Sequence, residues 1–345
     1  MKVSRQQNAV SKTTERMSAH VLVLLCLLAT VLLPTVSLQA QQPQKRPTVG
    51  RLGASSASAE AARREAFRQG LRELGYIEGK NILIEWRHAE GKPERLSALA
   101  DELVRLKVDV IVTGGGNATQ AVKKATSTIP IVMAQAGDPV ADGFVASLAR
   151  PGANITGLSG LSPELSGKQL ELLNEIVSKL SRVAVFGTST DRSSSQSLRE
   201  VERAAPAFGV KLYYHDVTDR KDYESAFQAA SKERADAILV RIWGPVITPH
   251  AKEFAELAVK NRLPAIYPDR RHVEAGGLIT YGVSEPDLDR RAAIYVDKIL
   301  RGANPAVLPV EQPTKFDFII NLKAAKQIGL TIPQSVLYRA DKVIK

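Results

Sequence analysis

Val108-Asp109-Val110-Ile111-Val112-Thr113-Gly114-Gly115-Gly116-Asn117-Ala118-Thr119 decides the fold. A short run rich in Val and Ile reads as a strand buried on both faces, the mark of a parallel sheet. It breaks into three glycines and then Asn117 and Thr119, either of which can cap a following helix. Strand, glycine turn and helix in that order form the repeating unit of layered α/β proteins.

The same rhythm continues outward. Upstream, Thr48 to Leu52 is a strand. Ala59 to Leu74 is a helix with Phe67, Leu71 and Leu74 on one face, closed by Gly75. Asn81 to Trp86 alternates as a second strand, and Pro93 to Lys107 is a helix. Downstream, Ile129 to Met133 is a strand, Val145 to Leu148 ends a short helix, and Asn154 to Leu158 is a last short strand. A second round follows. Helices are expected at 164–180, 195–208, 223–233 and 249–261, with strands at 182–186, 210–214, 237–242 and 264–267. The tail adds a strand at 276–282, a helix at 287–300, a strand at 316–320 and a helix at 322–328.

Two consecutive rounds of similar size predict an α/β fold of two similar Rossmann-like lobes with parallel sheets, joined by a multi-strand hinge. The expected division is 48–156 plus 278–312 for the N-terminal lobe and 157–277 plus 313–345 for the C-terminal lobe. A hinge of several strands permits bending closure rather than a free swivel.

The N-terminus carries an address. Basic residues between Lys2 and Arg16 precede an apolar run from Val21 to Val36, then Ser37-Leu38-Gln39-Ala40. Charged region, apolar core and small residue at the cut make a secretory signal over residues 1–40, and the mature chain is expected in the periplasm. The alternative is an uncleaved anchor, although the apolar run is shorter than the ~20 residues that span a bilayer. Cys26 lies inside the run and is its only cysteine, so the remaining 305 residues hold no disulfide, thiolate nucleophile or cysteine-ligated metal.

The chain is +11, and the leader takes net +3 with it (Lys2, Arg5, Lys12 and Arg16 against Glu15), leaving +8. Lys and Arg are interleaved with Glu along helices, without the dense basic clusters of a nucleic-acid reader. An N-terminal helix-turn-helix is also lacking, so no nucleic-acid partner is expected. A basic surface suits a small anionic ligand or an acidic partner.

Ligands of open α/β sheets sit beyond the carboxyl ends of strands. The candidate binding residues are therefore those just after strands, Ser55; Gly115, Gly116, Asn117 and Thr119; Gln135, Gly137 and Asp138; Ser189; Trp243; and Asp269, together with Tyr267 and Tyr281, which carry both an apolar face and a hydroxyl. The Gly114–Asn117 loop either lets backbone N–H groups approach a carboxylate or merely permits tight strand–helix packing. It lacks the Gly-Lys-Ser/Thr of a P-loop and the Gly-x-Gly-x-x-Gly of a dinucleotide site. Trp243 either stacks on a flat ligand or fills a rim. Asp269 and Arg270 suit an ammonium and a carboxylate, or form a plain surface turn.

Enzyme readings find little support. His88, His215, His250 and His272 make no close metal pattern, although His272 and Glu274 stand two apart. Gly157-Leu158-Ser159-Gly160 misses the nucleophile elbow. No metal and no cofactor are implied, and the chain is read as a non-enzyme.

Several stretches resemble a bacterial family of extracytoplasmic ABC transporter substrate-binding proteins. They are Ala66 to Tyr76, Ala125 to Val132, Gly137-Asp138-Pro139, Ser147 to Leu158, Glu274 to Leu278 and Leu308 to Asn321. The resemblance implies a fold similar to class I periplasmic binding proteins, with three inter-lobe crossings. It implies capture of a small solute, an amino acid or an aromatic or carboxylate compound, by a monomer. Delivery to an inner-membrane permease with its cytoplasmic ATPase follows. In such folds the ligand carboxylate meets the loops after the third and fourth strands, here 115–119 and 135–138. The second lobe supplies an aromatic wall and an acid, here Trp243 and Asp269. Where relatives carry an apolar-Trp-Asn turn, this chain has Gly187-Thr188-Ser189. A sensory module feeding a membrane receptor and a secreted enzyme on the same scaffold remain the alternatives.

Overall fold

A computed structural model describes residues 46–160, 165–189, 192–242 and 246–345. The expected leader lies outside the described residues.

The first sheet runs β2-β1-β3-β4-β5, with every neighbouring pair parallel. Its strands are β1 (Thr48–Gly53), β2 (Leu83–His88), β3 (Val110–Thr113), β4 (Ile131–Ala136) and β5 (Ile155–Ser159). All four residues of β3 are buried, as a strand covered on both faces requires. Helix α1 (Ala61–Glu73) covers one face, with Phe67 and Leu71 inward. Helices α2 (Leu96–Arg105) and α3 (Gly116–Ala125) cover the other, with Leu99, Leu103, Ala118 and Val122 inward.

Two local expectations are corrected. Strand β2 starts at Leu83 rather than Asn81, because the Asn81 side chain is spent on the preceding turn. Its Oδ1 accepts from Ile77 N at 2.6 Å and its Nδ2 donates to Gly75 O at 2.9 Å. No helix ends at 145–148. There the backbone folds back instead, with Phe144 N donating to Pro139 O at 2.8 Å and Ala146 N to Pro151 O at 2.9 Å.

The second sheet runs β12-β11-β10-β9-β8-β6-β7. Its strands are β6 (Arg182–Gly187), β7 (Lys211–Asp216), β8 (Ala237–Val240), β9 (Ala265–Tyr267), β10 (Ile279–Val283), β11 (Phe316–Asn321) and β12 (Lys342–Ile344). Its helices are α4 (Leu165–Ile176), α5 (Arg192–Ala204), α6 (Tyr223–Lys232), α7 (Ala251–Lys260) and the short α8 (Arg270–Glu274). Near the end come α10 (Leu322–Ile328) and α11 (Gln334–Leu337).

This sheet departs from the expected all-parallel form. Strand β10 is parallel to β9 but antiparallel to β11. The expected lobe boundary also moves. The pattern places residues 278–283 in the first lobe, yet Ile279 and Thr280 pair with Ile266 and Tyr267, and Leu278 and Ile279 are buried in the second lobe's core. The chain re-enters the first lobe only at Ser284. Helix α9 (Glu285–Leu300) then packs along α1.

The chain passes between the sheets after β5, at Ser284 and between Glu311 and Phe316. These passages are bonded to one another. Glu311 N donates to Gly157 O at 3.0 Å, Ser159 N to Glu311 O at 2.9 Å, and Ser284 N to Lys315 O at 3.2 Å. Cross-linked connections of this kind suit a hinge that closes by bending. Among the described residues no helix is long and apolar enough to cross a membrane.

Candidate functional site

The carboxyl ends of both sheets face a cavity of about 1040 Å³, at the upper limit of ordinary small-molecule sites. The first lobe contributes Ser55 after β1, Glu60 and Arg63 at the head of α1, the 114–118 turn, Gln135 near the end of β4 and Gly137 after it. The second contributes Thr188 after β6, Thr218 to Arg220 after β7, Thr248 and His250, and Arg271 after β9. Phe144 adds an aromatic edge.

The β3–α3 turn owes its shape to Gly115, whose φ of 133° is closed to ordinary side chains. The first bond within α3 runs from Thr119 N to Gly115 O at 3.0 Å. The N–H groups of Gly116, Asn117 and Ala118 therefore precede the helical ladder, at the cavity wall. Such a helix start favours negative charge.

Six of the expected residues stand at this wall: Ser55, Gly115, Gly116, Asn117, Gln135 and Gly137. Thr119 is a buried brace instead, its hydroxyl 2.7 Å from that of Thr113 and 2.9 Å from Gly115 O. Asp138 closes a turn by accepting from Val140 N and Ala141 N. Ser189 is held one residue beyond the wall, donating to Asp216 Oδ2 at 2.6 Å. Trp243 lies outside the described residues.

Three expectations in the second lobe are corrected by packing. Tyr267 has no exposed surface and stacks on His272 with ring centroids 5.2 Å apart. Burial pushes its phenol above the ordinary range. Asp269 caps α8, accepting from Arg271 N at 2.9 Å and from Arg271 Nε and Nη2 at 3.0 Å each, with His272 Nδ1 3.3 Å away. Burial opposes its ionisation, but His272 and Arg271 outweigh that and hold its carboxyl below the usual range. Tyr281 stacks on Phe316 at 5.9 Å and packs against the α4/α5 side of the second core. Arg270 turns away to Glu274 at 2.9 Å. Among the described residues no group of His, Asp and Glu is placed to hold a metal.

The residues missed from sequence are charged. Arg51, in the middle of β1, donates to Asp289 Oδ1 at 2.6 Å, and Arg63 donates to Asp289 Oδ2 at 2.5 Å. Arg271 reaches across to Glu285 at 3.1 Å. Burial disfavours the Arg63 and Arg271 cations, yet the neighbouring acids raise both above their ordinary values. Charges thus alternate in sign through Arg51, Asp289, Arg63, Glu285, Arg271 and Asp269, and of these Arg63, Glu285 and Arg271 line the cavity. A signal existed: Arg63 shares its helical face with Phe67 and Gly70, and Arg51 sits inside an apolar strand.

Comparison with known proteins agrees with this architecture. The family described as "ABC transporter substrate binding protein" matches residues 55–344. A tyrosine-binding protein of Clostridioides difficile is 25% identical over 268 residues, which is 77% of this chain and 76% of that protein. A conserved domain protein from Vibrio cholerae is 31% identical with a TM-score of 0.79, covering 87% of this chain and 100% of that one. A Streptococcus pneumoniae ABC domain solved in complex with L-Trp is 26% identical with a TM-score of 0.80 at the same coverage. The fold is shared with solute-binding proteins of the class I periplasmic type. The chain belongs to the ABC transporter substrate-binding protein family, whose members bind solutes rather than transform them.

Proposed function

We propose that this protein is the periplasmic solute-binding component of an ABC importer and that its solute is an aromatic amino acid. The observation that carries the reading is the cavity itself. It lies between two sheets joined by bonded crossings, and it is walled by the N–H groups at the start of α3 and by charges of both signs. The tyrosine-binding relative and the L-Trp complex support the aromatic class. The leader directs export as a monomer, and an inner-membrane permease with its ATPase receives the solute.

The solute binds the first lobe, and closure adds contacts from Thr188, Arg220 and Arg271. A ligand shifts that equilibrium only by the contacts it makes better in the closed state. Holding a ~1 μM ligand takes about 8 kcal/mol net. Charged ends desolvated among fixed partners and an aromatic body against Phe144 suit that demand.

Calorimetric titration of the chain lacking residues 1–40 with the twenty L-amino acids tests the proposal. L-tryptophan or L-tyrosine is expected to bind most tightly. Binding of neither, with tight binding of a non-aromatic solute, overturns the aromatic class.

A further inference from the structure

Two charged side chains in the cavity wall each keep one polar atom with no hydrogen-bond partner among the described residues. Glu60 and Arg63 stand three residues apart at the head of α1, and both line the cavity. Glu60 is 2% exposed and Arg63 7%. Glu60 Oε1 accepts from Ser55 N at 3.3 Å, while Oε2 has no hydrogen-bond partner, and His88 Nδ1 is 3.7 Å from it. Arg63 Nε is held by Asp289, while Nη2 has no partner. Among the described residues Arg63 pairs with Asp289 and Glu60 stands near His88, and the Glu60 charge also acts on Arg63.

An unsatisfied buried polar atom costs about 1–3 kcal/mol, and more when charged. Two of opposite sign on one cavity wall are costly unless a guest completes both. We propose that Glu60 and Arg63 read the two charges of an α-amino acid, Glu60 accepting from its ammonium and Arg63 donating Nη2 to its carboxylate. Arg63 thereby adds a guanidinium to the anion-favouring N–H groups of α3 in the same cavity. The Asp289 contact fixes the guanidinium plane before the ligand arrives, so little ordering remains to oppose binding. The sequence-based candidate for the ammonium, Asp269, already has both oxygens engaged by Arg271. This assignment rests on the reading of the cavity as an amino-acid site.

The test titrates wild type, Glu60→Gln and Arg63→Gln with L-tryptophan, tryptamine (no carboxylate) and indole-3-propionate (no ammonium). Glu60→Gln is expected to weaken L-tryptophan at least tenfold and to leave indole-3-propionate within twofold. Arg63→Gln is expected to weaken L-tryptophan and indole-3-propionate at least tenfold and to leave tryptamine within twofold. If Arg63→Gln does not fold, Arg63→Lys keeps a cation on Asp289 and carries the same comparison. Equal weakening of all three probes, or of none, overturns the assignment. Wild type that binds indole-3-propionate as tightly as L-tryptophan also overturns it, while the aromatic reading stands. Wild type that binds another L-amino acid instead ends the aromatic reading. The assignment then holds if the same charge-selective losses appear with that amino acid's amine and deaminated acid, and falls if they do not.

Discussion

Asp289 Oδ2 stands 2.5 Å from Arg63 Nε, joining two helices 226 residues apart in sequence. Its other oxygen holds Arg51 at 2.6 Å, and Asp289 itself has no exposed surface. One carboxylate therefore compensates two buried guanidinium groups. Removing a single member of such a buried set is far costlier than the net worth of the set, because the remaining charges stay desolvated. Asp289→Ala is expected to cost roughly 3–5 kcal/mol, read as a shift of the denaturant midpoint. It is also expected to loosen ligand binding, since Arg63 loses its anchor. An unchanged midpoint would show that water or other acids replace Asp289.

Tyr267 offers the opposite case. Its ring is fully buried among Phe254 and His272, and its hydroxyl has no hydrogen-bond partner among the described residues. Tyr267→Phe removes that unsatisfied group and keeps the packing. We expect stability to be unchanged or raised by about 1 kcal/mol, with ligand affinity unchanged. A loss of affinity would return the tyrosine to the binding surface.

Much of this fold was legible because parallel strands announce themselves. Val110 to Thr113 and Arg182 to Gly187 are near-continuous apolar runs, and their turns fall where the glycines do. The lobe assignment of Ile279–Val283 was not legible. A strand's neighbours are set by pairing with segments far away in sequence, and Gly276-Gly277 marks a turn without naming a sheet. The site was half legible. Backbone-driven positions such as Gly115 and Asn117 follow from strand ends alone. Tyr267 ends β9 and Asp269 follows it, but their side chains point into the core and into α8. The Arg51–Asp289–Arg63 set was missed because its members lie in three elements, with Asp289 more than 220 residues from both arginines.

The α1–α9 contact that positions Arg63 depends on Gly70. A Cβ there would lie 2.3 Å from Arg290 O and 2.9 Å from Ala293 Cβ, so the helices approach closely only without a side chain. Alanine gains up to about 1 kcal/mol over glycine in a helix interior. Forcing apart two packed helices costs typically about 1–3 kcal/mol. Because the obstruction includes backbone, the second effect wins, and Gly70→Ala is expected to lower the unfolding midpoint. A stabilised variant would show that α9 shifts freely over α1.

Acid sensitivity should concentrate at Asp269. Burial alone would raise its carboxyl, but His272 and Arg271 pull it below the ordinary range. A folded value below the unfolded one, about 3.9, stabilises the protein above that pH. The contribution is lost as pH falls further, toward the folded value. Asp269→Asn keeps an acceptor for the α8 cap and removes the titration. Wild type is therefore expected to lose stability more steeply than Asp269→Asn between about pH 5 and 3. Unfolding curves at stepped pH measure both slopes. Parallel slopes would place the acid sensitivity elsewhere, with Asp236 next to examine, since its carboxylate accepts from Ser181 N at 2.9 Å and Arg182 N at 2.8 Å.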